Sequence, residues 1–377
     1  MKWRRFWAIA RKEFLHVLRD PRSLGMGIAM PMVLLLLFGY ALTLDVDRVP
    51  LVVWDQSQSP ASREFLSRLA ASRYFAIRRQ ISNYRELEQA IDSGQALARL
   101  VMPSDFARQV ESGRTACAQL ILDGSDSNTA TIAAGYAEAV TRGYSEEIVL
   151  HTLRRAGARK PDPPLEVRLR AWFNDDMQSR NYLVPGLIAV LMMIVAALLT
   201  SLTVAREWER GTMEQLLSTP VKGAELILGK LLPYFTVGML DVVLAVLLGE
   251  FLFAVPLRGS LALLFLMAGV FLLGALSMGL LISIVAKSQL LANQMAMLLT
   301  FVPAYLLSGL IFAIPNMPKP IQAVTYLIPA RYFVSLLRSL YLKGVGLDIL
   351  ALEAALLAAF AVAVLALALA KFRKKLT

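Results

Sequence analysis

One stretch of the sequence, 223–231, comes close to a phosphate-binding loop but lacks two of its features. Such a loop places four residues between its outer glycines, and it ends in Lys followed by a Ser or Thr whose hydroxyl holds magnesium. Here five residues separate Gly223 from Gly229, and Leu231 follows Lys230. We therefore predict that the chain binds no nucleotide cofactor and does not hydrolyse ATP itself.

Other groups suited to catalysis are sparse. The two histidines, His16 and His151, lie far apart without metal-ligand spacing around either. Cys117 is the single cysteine, which excludes an internal disulfide and any multi-cysteine metal site. Two acidic pairs would suit an acid pair or a cation site, although loop solvation and helix capping are commoner uses: Asp123 with Asp126, and Asp175 with Asp176. We predict no metal site and no enzymatic activity.

Asp241 is the most informative carboxylate. It lies near the middle of the apolar run 231–253, where a charged side chain costs about 3 kcal/mol unless it is paired or faces water. One interpretation is a group that lines a translocation path or couples protonation to transport. The other is a packing contact between helices, with a partner that neutralises the charge. The sequence leaves both open.

A charged segment, 206–221, separates two strongly apolar stretches. Thr212 and Gln215 stand three apart, which is the spacing of a capping box at a helix start. Pro220 disfavours helical backbone at the residue before it and so predicts the end of the helix there. We predict a short helix that serves as a docking element; an ordinary solvated loop is the alternative.

The side chains of this short helix divide into two sets. The apolar ones, Met213, Leu216 and Leu217, fall on one face at helical spacing. Arg210 and Glu214 stand four apart and are predicted to pair.

The composition assigns these residues to a membrane protein. The chain is 57% hydrophobic but 18% charged, so the two classes of residue must be segregated along it. A span needs about 20 apolar residues. Six stretches are long enough: 24–44, 183–204, 231–253, 261–285, 294–313 and 349–370.

The net charge of +11 does not indicate a nucleic-acid partner, because residues 45–180 hold 18 Lys and Arg against 18 Asp and Glu. The excess flanks the spans, with seven Lys and Arg in 1–23 and four in 371–375. This pattern predicts that both termini are cytoplasmic and that 45–180 is external.

The predicted fold is an α-helical membrane protein of six transmembrane helices with an inserted extracytoplasmic α/β domain. An amphipathic helix occupies 1–23, with aromatic residues opposite basic ones, and the first span follows at 24–44. The external domain occupies 45–180, with strands near 49–54, 98–102, 118–122 and 165–172 and helices near 61–71, 84–93, 104–112 and 129–155. The remaining spans occupy 183–377, with a cytoplasmic loop at 205–222 and an external hairpin at 314–347 that carries short helices or a re-entrant segment.

Several motifs along the whole chain resemble the membrane subunit of a type-2 ABC exporter, in the multidrug-exporter-like branch with a large external domain after the first span. They are Arg11-Lys12-Glu13, Arg19-Asp20-Pro21, Tyr182-Leu183-Val184-Pro185-Gly186, the loop 206–221, Ser308-Gly309-Leu310-Ile311-Phe312 with Pro315, Met317-Pro318, and Tyr326-Leu327-Ile328-Pro329. No motif in the external domain contributes to the resemblance.

The resemblance implies a half-transporter in a bacterial inner membrane that moves hydrophobic or amphipathic small molecules outward. Its implied partners are a second permease subunit, either a copy or a paralogue, and ABC ATPase subunits that hold ATP and magnesium. The residues implied to contact the ATPase are Arg11, Lys12, Glu13, Arg206, Glu207, Glu209, Gly211, Thr212, Glu214 and Gln215. Membrane lipid surrounds the spans, and the external domain is left to bind cargo, a periplasmic adaptor or its twin.

A function of another class stays open at this stage. A membrane-anchored sensor or scaffold would use the external domain to bind a ligand or an envelope partner. It would depend on no ATPase and would need no polar residue inside the membrane.

Overall fold

The computed structural model describes residues 2–42, 48–83, 85–86, 96–155, 172–174 and 178–372. The chain divides into two compact units, one formed by 1–43 and 170–377 and the other by 44–169. Four predictions fall wholly or largely on residues outside these ranges: the helix at 84–93, the strand at 165–172, the pair Asp175 and Asp176, and the basic tail after 372.

The described α-helices are, in chain order, α1 (Trp3–Arg19), α2 (Pro21–Leu24), α3 (Met30–Ala41), α4 (Pro60–Ala71), α5 (Phe106–Glu111), α6 (Ser127–Arg155), α7 (Ser179–Glu209), α8 (Thr212–Ser218), α9 (Gly223–Leu247), α10 (Leu261–Ala286), α11 (Gln289–Ala296), α12 (Val302–Leu307), α13 (Lys319–Thr325), α14 (Pro329–Arg338) and α15 (Leu347–Lys371). Wider π-helical turns occupy Gly25–Ala29, Leu248–Leu252, Met297–Phe301 and Ser339–Lys343.

Five helical stretches in the described part of the chain are long and apolar enough to cross a membrane. They are Ser179–Glu209, Gly223–Leu252, Leu261–Ala286, Gln289–Leu307 and Leu347–Lys371. The first predicted span, 24–44, contains the shorter apolar helix Gly27–Ala41 instead. Its π-helical turn at Gly25–Ala29 joins it to α2, so helical backbone runs from Pro21 to Ala41. The structure therefore supports a helical membrane protein with five long spans.

Helix α7 is the centre of this unit. In its most apolar stretch 83% of the residues are buried, against 22–50% in the other four spans. It lies directly against α10, where a Cβ built on Gly279 would contact the Thr200 hydroxyl and lie 2.9 Å from the carbonyl carbon of Ala197. Thr200 donates a hydrogen bond to the carbonyl of Leu276 over 2.9 Å. Small residues allow the two backbones to approach this closely.

Arg338 at the end of α14 joins two of the motifs on which the family resemblance rests. Its guanidinium lies 3.4 Å from the centre of the Tyr182 ring and donates to the carbonyls of Tyr182, Gly309 and Leu310 over 3.1, 2.8 and 3.3 Å. Burial lowers the pKa of Arg338 to about 10. The guanidinium therefore acts as a fixed donor that holds the turn after α12 against the start of α7.

The second unit contains a four-stranded sheet in the order β2–β1–β3–β4, formed by β1 (Val49–Asp55), β2 (Phe75–Gln80), β3 (Ala98–Met102) and β4 (Gln119–Leu122). Strand β1 pairs in parallel with β2 and β3, and β4 is antiparallel to β3. Helices α4, α5 and α6 stand where the sequence predicts them. The sequence pattern does not predict β2, because three of its six side chains are exposed and basic or polar and so do not form an apolar run.

Candidate functional site

The amino-terminal helix α1 packs against the start of α9. Its buried face is formed by Phe6, Ala10, Glu13 and Val17 at three- and four-residue steps. A Cβ added to Gly229 of α9 would lie 2.9 Å from Ile9 Cγ2, so only glycine allows the helices to come this close. The predicted aromatic stripe is thereby divided: Phe6 is buried, while Trp3 and Trp7 are 68% and 56% exposed. Exposed tryptophans on a basic helix suit the headgroup region of a bilayer.

A buried cluster of charges joins α1, α7 and α9. The ammonium of Lys230 lies 3.0 Å from Glu13 Oε1 and 2.9 Å from Glu207 Oε1. The exposed fractions of the three side chains are only 2%, 5% and 10%. Lys12 adds a second ammonium, 3.3 Å from Glu207 Oε1 and 3.6 Å from Glu13 Oε1. We call these four residues the ion cluster.

Lys230 and Lys12 stabilise the ionised form of the Glu13 carboxyl. Burial is the largest influence on the Glu13 carboxyl and raises its pKa, but the ammonium and hydrogen bond of Lys230, aided by Lys12, hold the pKa below its ordinary value. Two carboxylates facing two ammoniums leave no net charge in the cluster. Removing any one buried partner would leave an uncompensated charge, which typically costs about 3–5 kcal/mol.

Sequence reasoning missed Lys230, the lysine of the incomplete phosphate-binding loop. The structure places it within α9 with its side chain inside the protein, so it has no access to a nucleotide. A buried lysine about two turns into an apolar helix requires a buried anion, and that requirement was the available signal. Glu13 and Glu207 were both predicted as coupling residues, and the structure brings them together on this lysine.

Further hydrogen bonds surround the ion cluster. Arg206 contacts His16 Nε2 at 2.9 Å and lies 3.9 Å from an Asp20 carboxylate oxygen. At the start of α9, Glu225 accepts from the backbone N–H of Lys2 and of Lys222 over 2.6 and 3.0 Å. Arg5 donates to the carbonyl of Pro220. The amino-terminal segment is therefore bonded to both ends of the loop 206–221.

The carboxylate of Glu209 connects the end of α7 to α11. It accepts from the backbone N–H of Gln289 over 2.7 Å and also from the side-chain amide of Gln289. Beside it, the Lys287 ammonium lies 5.0 Å from the centre of the Trp208 ring. A movement of the end of α7 would therefore displace the start of the fourth long span, Gln289–Leu307.

A short helix forms in the charged loop, as predicted, but α8 begins at Thr212, one residue earlier than a Thr212 cap implies, and it has no capping box. Gly211 precedes it in left-handed backbone with φ of 69°, and no side chain caps the helix start. That turn directs the Thr212 hydroxyl back to the carbonyl of Glu207 at 3.4 Å, so it does not reach the N–H groups of its own helix. The capping-box prediction is wrong because the glycine, which tolerates positive φ, supplies the turn instead.

Helix α8 attaches by its apolar face and leaves its polar face exposed. Met213 is only 1% exposed and Leu216 packs partly buried on the core of the membrane unit. Thr212, Glu214 and Gln215 are all exposed. Glu214 forms no ion pair with Arg210 among the pairs found in the described residues, so that predicted pairing is wrong. An exposed helix anchored on the ion cluster's side of the unit offers a contact surface for another molecule.

Asp241 is buried within α9 at 1% exposure. Its Oδ1 atom has no hydrogen-bond partner among the described residues, and no described cation pairs with it. The packing interpretation predicted a neutralising partner, which this arrangement does not supply.

Five long apolar helical stretches, with an exposed short helix on the charged loop between the first two, define a helical membrane protein. The profile described as ABC-2 family transporter protein matches residues 21–370. The chain therefore belongs to the ABC-2 family, and the membership predicted from its motifs is confirmed.

Similar proteins extend over the full length of the chain. It is 40% identical to the probable multidrug ABC transporter permease YbhS of Escherichia coli K12, over 100% of this chain and 98% of that protein. It is 33% identical to the probable multidrug ABC transporter permease YbhR of the same strain, over 92% of each chain. The linearmycin resistance permease protein LnrN of Bacillus subtilis is 23% identical over 93% of this chain and 95% of its own. The chain is thus similar over its whole length to proteins named as ABC transporter permeases.

Proposed function

We propose that this chain is the transmembrane permease subunit of an ATP-driven exporter that moves hydrophobic or amphipathic small molecules out of the cytoplasm or the inner leaflet. ATP and magnesium are held by a separate ABC ATPase subunit. The observation that carries the proposal is the ion cluster, in which Lys230 joins the helices on both sides of the loop 206–221 to α1.

The mechanism follows from the way the ion cluster holds α1, α7 and α9 together. When the ATPase subunits close on ATP, they displace the exposed face of α8. Because Met213 anchors α8 and the ion cluster joins α1, α7 and α9, the displacement moves these helices together. Coupling is reciprocal, so cargo bound between the spans changes the behaviour of the ATPase in turn.

The orientation and the assembly belong to the same proposal. The chain lies in a bacterial inner membrane with both termini cytoplasmic and 45–180 external, and its first predicted span at 24–44 completes six. Two permease subunits, identical or paralogous, enclose the path. Asp241 is the candidate for a polar group in that path, because the Oδ1 atom of its buried carboxylate has no hydrogen-bond partner among the described residues.

The test uses the permease, its partner ATPase and proteoliposomes loaded with a fluorescent amphipathic dye. Glu214→Lys reverses a charge on the exposed face of α8 and should abolish at least about nine-tenths of dye transport, because a docking surface tolerates charge reversal poorly. Glu111→Lys, the same change at an exposed residue of the other unit, is the matched control and should transport normally. Normal transport by Glu214→Lys and by a Thr212→Lys variant would overturn the docking role. Dye transport that needs no ATP would overturn the export proposal.

A further inference from the structure

The unit formed by 44–169 contains a cavity of about 720 Å³ that opens to solvent on one side. Ligand pockets for small organic molecules occupy about 300–1,000 Å³. All residues that line this cavity belong to the described part of the chain.

The floor of the cavity is apolar. It is formed by core side chains of the sheet and of α4 and α5, among them Leu51, Leu100, Phe65 and Phe106. Phe65 also packs against Tyr144 of α6, with ring centres 5.3 Å apart. The Tyr144 hydroxyl donates to the carbonyl of Ala61 over 3.3 Å. That bond uses the hydroxyl proton, so towards an occupant Tyr144 offers the apolar face of its ring and a hydroxyl oxygen that can only accept.

The rim of the cavity carries one charge, and it is positive. Arg114 lines the rim and is exposed, in the segment between α5 and β4. The backbone N–H of Arg114 donates to the carbonyl of Gln109 over 3.0 Å, which holds the segment in place. Its guanidinium has no partner among the described residues, and no carboxylate lines the cavity. The hydroxyls of Thr141 and Ser145 supply further donors.

We propose that this cavity binds an amphipathic organic anion, with its apolar body against the phenylalanine floor and its acidic group at Arg114. Charge complementarity selects the anion, because the lining contains one cation and no acid. The volume selects a small molecule with one or two rings or a short acyl chain. The inference concerns the external unit and goes beyond the export proposal, since it needs neither ATP nor a partner subunit.

The experiment uses Cys117, the single cysteine of the chain, which is exposed and lines the cavity. The complete permease in lipid nanodiscs, without nucleotide or ATPase, is labelled with a maleimide, and the rate of Cys117 modification is measured. The probe is 1-anilinonaphthalene-8-sulfonate, and the matched neutral probe is N-phenyl-1-naphthylamine, which lacks the sulfonate. We expect saturable protection by the anion, with the neutral probe protecting only at higher concentration.

Two variants test separately the charge at the rim of the cavity and the space above its apolar floor. Arg114→Gln should raise the half-protecting concentration of the anion about tenfold and leave that of the neutral probe unchanged, because a charge-assisted hydrogen bond is lost. Ala137→Phe, which fills the cavity from α6, should abolish protection by both probes. The control is Arg108→Gln, an exposed arginine of the same unit outside the lining, which should behave as the unchanged protein.

Three results would overturn the proposal. The first is that neither probe protects Cys117 from the maleimide. The second is that the anion protects the Arg114→Gln variant as well as it protects the unchanged protein. The third is that Arg108→Gln weakens protection by the anion as much as Arg114→Gln does. Because no nucleotide is present, failure of the export proposal would leave these measurements unaffected.

Discussion

The Lys230 ammonium lies 2.9 Å from Glu207 Oε1, although the two side chains are only 2% and 10% exposed. Glu207 lies at the start of the charged loop in α7 and Lys230 lies beyond its end in α9, so the pair joins the two helices that flank the loop. Glu13 of α1 contacts the same ammonium at 3.0 Å. A single buried lysine therefore links the helices on both sides of the loop to α1.

Lys230→Met should be strongly destabilising. The change leaves Glu13 and Glu207 buried with only Lys12 nearby, and we expect a loss of about 3–5 kcal/mol. Thermal unfolding of the purified permease in detergent measures it. Adding Glu13→Gln should recover part of the loss, because it removes one of the unpaired charges.

Lys319→Met is the matched control for Lys230→Met. Lys319 is an exposed lysine at the start of α13 with no ion pair among the described residues, so its loss should change stability by about 0.5 kcal/mol or less. Equal unfolding temperatures for the Lys230→Met variant and the unchanged protein would contradict the role given to the ion cluster.

The contribution of Glu13 to the stability of the folded protein should decrease as the pH falls. Its pKa in the folded protein is below the ordinary 4.5, so the stabilisation is present above that value and is lost as the pH falls through the folded pKa. The charged or titratable groups that act on it include Lys12, His16, Lys230, Glu207 and Tyr234. The difference in melting temperature between the unchanged protein and Glu13→Gln should be constant well above pH 4.5 and shrink below it. A difference that grows on acidification would contradict this sign.

The sequence predicts the local elements well because their signals lie within a few residues. The short helix α8, three of the four strands and the five long spans all follow from periodicity and turn residues. The ion cluster does not, because Glu13 and Lys230 are 217 residues apart and only the fold brings them together. The capping box failed for a related reason: Gly211 admits a turn that redirects Thr212, and the spacing of side chains does not reveal backbone conformation.

Gly279→Ala tests the close approach of α7 and α10. The added methyl would meet the Thr200 hydroxyl and the Ala197 backbone, neither of which is the end of a flexible chain. We expect a loss of about 1–3 kcal/mol, measured by thermal unfolding. Gly269→Ala on the same helix is the control, because its methyl would meet only Phe235 at 3.6 Å. Equal effects of the two changes would contradict the packing described for α7.

Asp241→Asn separates the two interpretations of the buried carboxylate. Because the carboxylate has no described partner, the amide should leave thermal stability unchanged or raised. If Asp241 lines the path, dye transport should fall about tenfold or more in the folded variant. Asp348→Asn, at an exposed position near the start of α15, is the control. Normal transport by Asp241→Asn would remove the residue from the mechanism.

We propose above that the exposed face of α8 contacts a separate ATPase subunit. Photocrosslinking tests this contact. A benzophenone amino acid replaces Glu214 in one sample and Glu111 in the control, each coexpressed with the ATPase subunit. We expect a permease–ATPase crosslink from position 214 whose yield changes with ATP, and none from position 111. A crosslink absent from 214, or equal at both positions, would contradict it.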